Sequence, residues 1–241
     1  MDQVWALDLT DADWETTAGQ VYEGTPTVGA GNEVDLDGID GVSPTLRAWV
    51  PAGVGERTGM DRRWSLPEMG VGGLDDVFLR YKVHIPTVMI TDTTTTGDKF
   101  PGLFGKDAAE SPFDLAHGGN RPGDSWSVRP IIGDLATTGP YFYVENPNFN
   151  DPFGTAFYTA TYNEGWNELL LHYQMNTPGT PDGVFEMWLN DQLIYRNETV
   201  EYQSDTMSGI NATLLVAGMG TSAVTAALEL HFADFELLVP V

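Results

Sequence analysis

No cysteine occurs in the 241 residues. Its absence excludes disulfides, thiolate metal sites and a cysteine nucleophile. Lysine is almost as scarce: Lys82, Lys99 and Lys106 stand among 11 basic residues, against 35 acidic ones. The formal net charge is -24 and the sequence pI is 4.1. The phosphate backbone of a nucleic acid would be repelled nearly everywhere on such a chain, so no nucleic-acid partner is expected. An anionic membrane surface is disfavoured for the same reason. No apolar run approaches the roughly 18 residues of a membrane span, so membrane insertion is not expected. The opening Met1-Asp2-Gln3-Val4-Trp5 lacks the basic region and apolar stretch of a signal peptide.

Acidity does not imply disorder here, because 41% of residues are hydrophobic and 11% aromatic, enough for a core. Helical periodicity is nearly absent. Gly and Pro recur at short intervals and cut the chain into β-type runs. The clearest is 77–85, which places Val77, Leu79, Tyr81, Val83 and Ile85 on one face and Phe78, Arg80, Lys82 and His84 on the other. Similar runs occupy 46–50, 141–144, 156–162, 168–175, 184–189 and 228–237. Asp182-Gly183 and Asn190-Asp191 supply hairpin cues between them. The segment 91–122 is long, polar and rich in Gly and Pro, and reads as a functional loop carrying Lys99. No repeat and no linker interrupts the pattern. The expectation is an all-β fold, a concanavalin-like β-jelly-roll sandwich of two antiparallel sheets, forming a single domain over residues 1–241.

Chemistry concentrates in the middle third, in Gly97-Asp98-Lys99-Phe100-Pro101-Gly102-Leu103-Phe104-Gly105, Trp126-Ser127-Val128-Arg129 and Tyr141-Phe142-Tyr143. An i, i+2 pair on a strand points to one face, so Ser127 shares a face with Arg129, and Tyr141 with Tyr143. A cation, a hydroxyl and two phenols on adjacent strands suit removal of a proton next to a carboxylate. In this order and context the strings resemble polysaccharide lyase family fourteen, the alginate and glucuronate lyases of β-jelly-roll form. Gly165-Trp166, Asn176-Thr177 with Asp182-Gly183, and Trp188 before a turn add to the likeness, which covers roughly residues 40 to 200.

The resemblance implies β-elimination on a uronic-acid polymer. Lys99 and Arg129 would stabilise the carboxylate and the enolate-like intermediate. Tyr141 and Tyr143 would share the roles of base and acid, in either assignment, and Ser127 would hydrogen-bond the sugar or its carboxylate. The family's glycine pair after Pro-Gly-Leu is only Gly105-Lys106 here, and 214–221 departs from its usual Gly-Gly and following tryptophan.

Arg80, Lys82 and His84 cluster on one strand face and are candidates to line a sugar-binding groove, as is His117 in the long loop. His172 and His231 read as sheet residues. No metal site is expected, because Asp35-Leu-Asp37-Gly-Ile-Asp40 lacks the length and closing glutamate of an EF-hand loop, although a jelly roll has room for a structural calcium elsewhere. No cofactor is implied. The acidic surface serves either solubility or life in concentrated salt, and the scarcity of lysine favours a halophilic setting. Two functions compete. One is a lyase acting on an acidic polysaccharide or surface glycan. The other is a non-catalytic glycan-binding protein of a surface assembly, such as a virion turret, tail or fibre, with other subunits as partners. Both place the chain outside a cell or on a virion or cell surface.

Overall fold

A computed structural model describes residues 1–11, 33–50, 52, 59–66, 71, 73–91, 98–106, 125–144, 154–202, 210, 212–218 and 226–241. In chain order these form β1 (Asp2–Ala6), β2 (Glu33–Asp35), β3 (Thr45–Val50), β4 (Gly59–Ser65), β5 (Asp76–Ile85) and a short helix α1 (Thr87–Thr91). Next come β6 (Asp98–Lys99), β7 (Gly102–Lys106), β8 (Ser125–Ile132) and, after a 3-10 turn at Asp134–Ala136, β9 (Thr137–Tyr143). The remainder are β10 (Thr155–Ala156), β11 (Ala160–Thr161), β12 (Gly165–Gln174), β13 (Gly183–Leu189), β14 (Gln192–Val200), β15 (Ala212–Gly218) and β16 (Leu228–Val239).

The strands form two antiparallel sheets in a jelly-roll sandwich. The first runs β14-β13-β12-β5-β16-β3-β2, with β1 beside β16. The second runs β10-β9-β8-β6-β15-β4, with β11 beside β9 and β7 bridging β15 and β8. Period-two alternation decides what each sheet buries. From the first, Val77, Leu79, Tyr81, Leu169, Leu171, Tyr173, Phe185 and Met187 enter the core. From the second, Leu103, Trp126, Val128 and Phe142 meet them. Phe142 packs edge-on against Phe185 at 5.3 Å between ring centroids, and Trp126 lies 4.8 Å from Tyr202. Two phenols also bond across the sandwich: Tyr173 donates to Val128 O at 2.7 Å and accepts from Leu103 N at 3.2 Å, and Tyr81 donates to Pro101 O at 3.0 Å.

Turn chemistry behaves as its residues demand. Asn190 (φ 50) and Asp191 (φ 63) both hold positive φ between β13 and β14, as a two-residue hairpin turn of this hand requires. Asp182 closes the β12–β13 loop by accepting from Thr177 N at 2.6 Å and from Thr177 Oγ1 at 2.9 Å. Two expectations change. The run 156–162 divides into the separate two-residue strands β10 and β11, both on β9. The segment 91–122 is not wholly loop, because β6 and β7 fall within it. Phe100, Leu103 and Phe104 are fully buried there, and that apolar content outweighs the surrounding Gly and Pro. Among the described residues no helix is long and apolar enough to cross a membrane.

Candidate active site

Three strands of the second sheet assemble the five predicted catalytic residues. In the β8–β9 ladder Ser127 stands opposite Tyr143, and Arg129 opposite Tyr141. On the neighbouring β6, Lys99 stands opposite Ile131 of β8. Trp126, Val128 and Phe142 alternate with these residues and point into the core, so Ser127, Arg129, Tyr141 and Tyr143 share the opposite face. That face is not an ordinary solvated one. Phe104, opposite Ser127 on β7, is fully buried, Ser127 is 1% exposed and Arg129 only 7%.

Lys99 Nζ donates to the Tyr143 hydroxyl at 2.8 Å, and Tyr141 donates its hydroxyl hydrogen to the same oxygen at 2.9 Å. The phenol rings meet edge to face with centroids 4.6 Å apart. Lys99 Nζ lies 4.6 Å from the Tyr141 centroid and 4.8 Å from that of Tyr143, and the Arg129 guanidinium carbon is 5.8 Å from the Tyr143 ring. Burial alone would hold the Tyr143 proton on. The bonds from Lys99 and Tyr141 and the charges of Lys99 and Arg129 outweigh it, so its pKa falls below the ordinary 10.0. Burial and then the Arg129 charge lower the Lys99 pKa, while the bond to Tyr143 works to raise it. The arrangement thus favours a negative charge on the Tyr143 oxygen.

Lys99 differs from other cations of this acidic chain in what it touches. Arg47 pairs with Glu229 at 2.9 Å, Lys82 with Asp234 at 2.8 Å and Arg196 with Glu186 at 3.2 Å. Among the described residues Lys99 has no carboxylate partner; its partner is a phenol. Ser127 Oγ is buried with no hydrogen-bond partner among the described residues.

The predicted groove-lining residues go elsewhere. Arg80, Lys82 and His84 lie on β5 in the first sheet, on the face turned away from the core, so the sandwich separates them from Arg129 and Tyr143. Arg80 Nε donates to Glu236 at 2.8 Å, Lys82 pairs with Asp234, and His84 Nε2 lies 3.0 Å from Asp40 Oδ2. They belong to an ion-paired outer face, not to the site. Alternation groups them correctly, but the sheet they occupy is set by pairing with the distant β12 and β16. His117 lies outside the described residues. Among those residues no group of His, Asp and Glu is placed to hold a metal ion.

Two glycines complete the site. A Cβ on Gly102 would come within 2.5 Å of both Arg129 Cβ and Val128 O, so the glycine of the Pro-Gly-Leu string lets β7 pass close beside Arg129. Gly154 escapes sequence reasoning. Its φ is +101, and its main chain lies against Tyr141 and Tyr143. A lone glycine before a two-residue strand carries no signal that could have singled it out.

Comparison with known proteins agrees with the fold. No curated protein matches the chain. A marine alginate lyase of family 14 from Aplysia kurodai superposes with a TM-score of 0.74 at 17% identity, covering 100% of both chains. An alginate lyase from a Chlorella virus superposes at 0.73 and 15% identity, covering 99% of this chain and 100% of its own. An endo-β-1,4-glucuronan lyase from the fungus Trichoderma reesei reaches 0.54 at 10% identity, covering 99% and 91%. At such identities the likeness establishes the fold. The family described as polysaccharide lyase 14 matches residues 62–224, well over half of the chain and a span that includes Lys99, Ser127, Arg129, Tyr141 and Tyr143, and the chain belongs to that family.

Proposed function

We propose that this protein cleaves a uronic-acid polysaccharide by β-elimination, with Tyr143 as base and Tyr141 as acid. The observation that carries the assignment is the hydrogen-bond chain from Lys99 and Tyr141 onto the Tyr143 oxygen. That oxygen accepts twice and is the better phenolate; Tyr141 is the donor.

The substrate carboxylate would lie against the Arg129 guanidinium, which can bind it through two parallel N–H bonds, with the Ser127 hydroxyl as a further donor. Neutralising the carboxylate makes the adjacent C5 hydrogen more acidic and stabilises the charge that develops as it leaves. The Tyr143 phenolate takes that proton. The C5–H electron pair becomes the C4–C5 double bond, the C4–O4 bond breaks, and O4 takes the Tyr141 proton. The proton now on Tyr143 returns to Tyr141 along their 2.9 Å hydrogen bond, so both groups are restored without a second acid.

The geometry bears on substrate choice. Two oxygens 2.9 Å apart act from one side of the sugar. This favours uronates whose C5 hydrogen and C4 oxygen share a ring face, as in D-mannuronate and D-glucuronate. In L-guluronate they lie on opposite faces. The test is the ultraviolet absorbance of the conjugated unsaturated uronate during incubation with mannuronate-rich alginate, glucuronan and guluronate-rich alginate. A rise with the first two, lost in Arg129→Ala while that variant melts near wild type, is the expected result. A folded protein that produces no rise on any polymer would overturn the lyase reading and favour the non-catalytic glycan-binding one.

A further inference from the structure

We propose that Gly154 is a positioning residue whose bare main chain holds the hydroxyl ends of Tyr141 and Tyr143 together. This deepens the reading of the phenol pair as acid and base and rests on it. β10 runs antiparallel to β9 with Thr155 opposite Phe142 and Ala156 opposite Tyr141. The preceding residue, Gly154, therefore comes alongside Tyr143. A Cβ at this position would stand 2.6 Å from the Tyr141 hydroxyl oxygen, 2.7 Å from Tyr141 Cζ and 2.9 Å from Tyr143 Cε1. These are the reacting ends of the rings, not their stems. Real Cβ atoms do not approach so closely, and the two contacts at Tyr141 mean that its hydroxyl would have to move.

The consequence is specific. Displacing the Tyr141 hydroxyl breaks its bond to Tyr143, which removes one support of the Tyr143 phenolate and the path by which the proton returns. Lys99 from β6 and Arg129 from β8 also face Tyr143, so the phenolate loses part, not all, of its support. A misplacement of order 1 Å in a reacting group can cost about 100-fold in rate. The φ of +101 is the independent reason that no side chain fits here, because residues with a Cβ rarely adopt it. Strain and contact must therefore be separated.

The experiment compares wild type, Gly154→Ala, Tyr141→Phe and the double variant by thermal melting, by kcat and KM, and by spectroscopic titration of tyrosinate. Tyr143 titrates before the buried Tyr81, Tyr162, Tyr173 and Tyr202, all raised by burial, and Tyr143→Phe identifies its step. Gly154→Ala is expected to move the Tyr143 step to higher pH and to lower kcat about 10- to 100-fold with little change in KM. In the Tyr141→Phe background the same substitution should have little further effect on kcat or on the Tyr143 step, because the hydrogen bond it breaks is already gone. A folded Gly154→Ala with an unmoved Tyr143 step and wild-type kcat would overturn the inference. Should Gly154→Ala fail to fold, restored folding when it is combined with Tyr141→Ala, which clears both contacts at Tyr141, supports the inference; failure there too overturns it. The titration needs no substrate, so loss of the lyase reading and loss of this one are separate results.

Discussion

At the scale of single residues, the central fact is a cation that serves a phenol in a chain with a large excess of carboxylates. Tyr143 ionises below the ordinary range because Lys99 and Tyr141 donate to its oxygen, against the opposing effect of burial. The sign of the activity profile follows. With Tyr143 as the proposed base, working ionised, kcat/KM is expected to rise with pH through the lowered Tyr143 pKa, below the ordinary 10.0. Lys99→Met removes a charged donor worth about 1.5–3 kcal/mol, which moves the rising limb up by about one to two pH units. At neutral pH its kcat/KM should fall roughly 10- to 100-fold and recover in part under alkaline conditions. A pH profile with the limb unmoved would remove Lys99 from the activation of the base and leave it a carboxylate-binding role. Ser127, Arg129, Tyr141 and Tyr143 were legible from i, i+2 spacing alone as two same-face pairs. Which tyrosine accepts and which donates was not, because that depends on the partners each oxygen finds across strands.

Elements explain why the site is rigid. β8 is buried on both faces: Trp126 and Val128 in the core, Ser127 and Arg129 on the other side. Its central peptide is pinned from the first sheet, where Tyr173 on β12 donates to Val128 O, between Ser127 and Arg129, and also accepts from Leu103 N on β7. Tyr173→Phe leaves those two buried backbone groups short of a partner, at a cost of about 1–3 kcal/mol. For a chain of this length that corresponds to a Tm lower by about 2–12 °C, measurable by calorimetry. A melt indistinguishable from wild type would mean that neither group depends on the phenol. Strands with strict alternation, such as β5, β12 and β13, could be read from the sequence, as could the Asn190-Asp191 turn. β6 could not, because two residues carry no period, and their strand character comes from pairing with β8 and β15. The same limit misplaced Arg80, Lys82 and His84. Periodicity says which residues share a face, while the sheet that face belongs to is decided by partners distant in the sequence.

For the whole molecule, the question is how a chain of net charge -24 would engage the proposed anionic polymer. Two interactions oppose each other and differ in range. Repulsion between the acidic surface and a long polyuronate acts over the Debye length, about 10 Å at 0.1 M salt and about 3 Å at 1 M. Attraction to Arg129 acts at contact, from a side chain only 7% exposed, where salt screens far less. Added salt therefore removes more repulsion than attraction. KM for a long polymer should fall between about 0.1 and 1 M NaCl, and KM for a short oligosaccharide, which spans less of the acidic surface, should change less. Basic polyanion-binding proteins behave in the opposite way, losing affinity steeply as salt rises. The Tm should rise over the same range, because screening also relieves repulsion within the folded chain. A KM that climbs steadily with salt for both substrates would mean that exposed cations dominate capture. In that case the acidic surface would have no part in a salt-adapted mode of polymer binding.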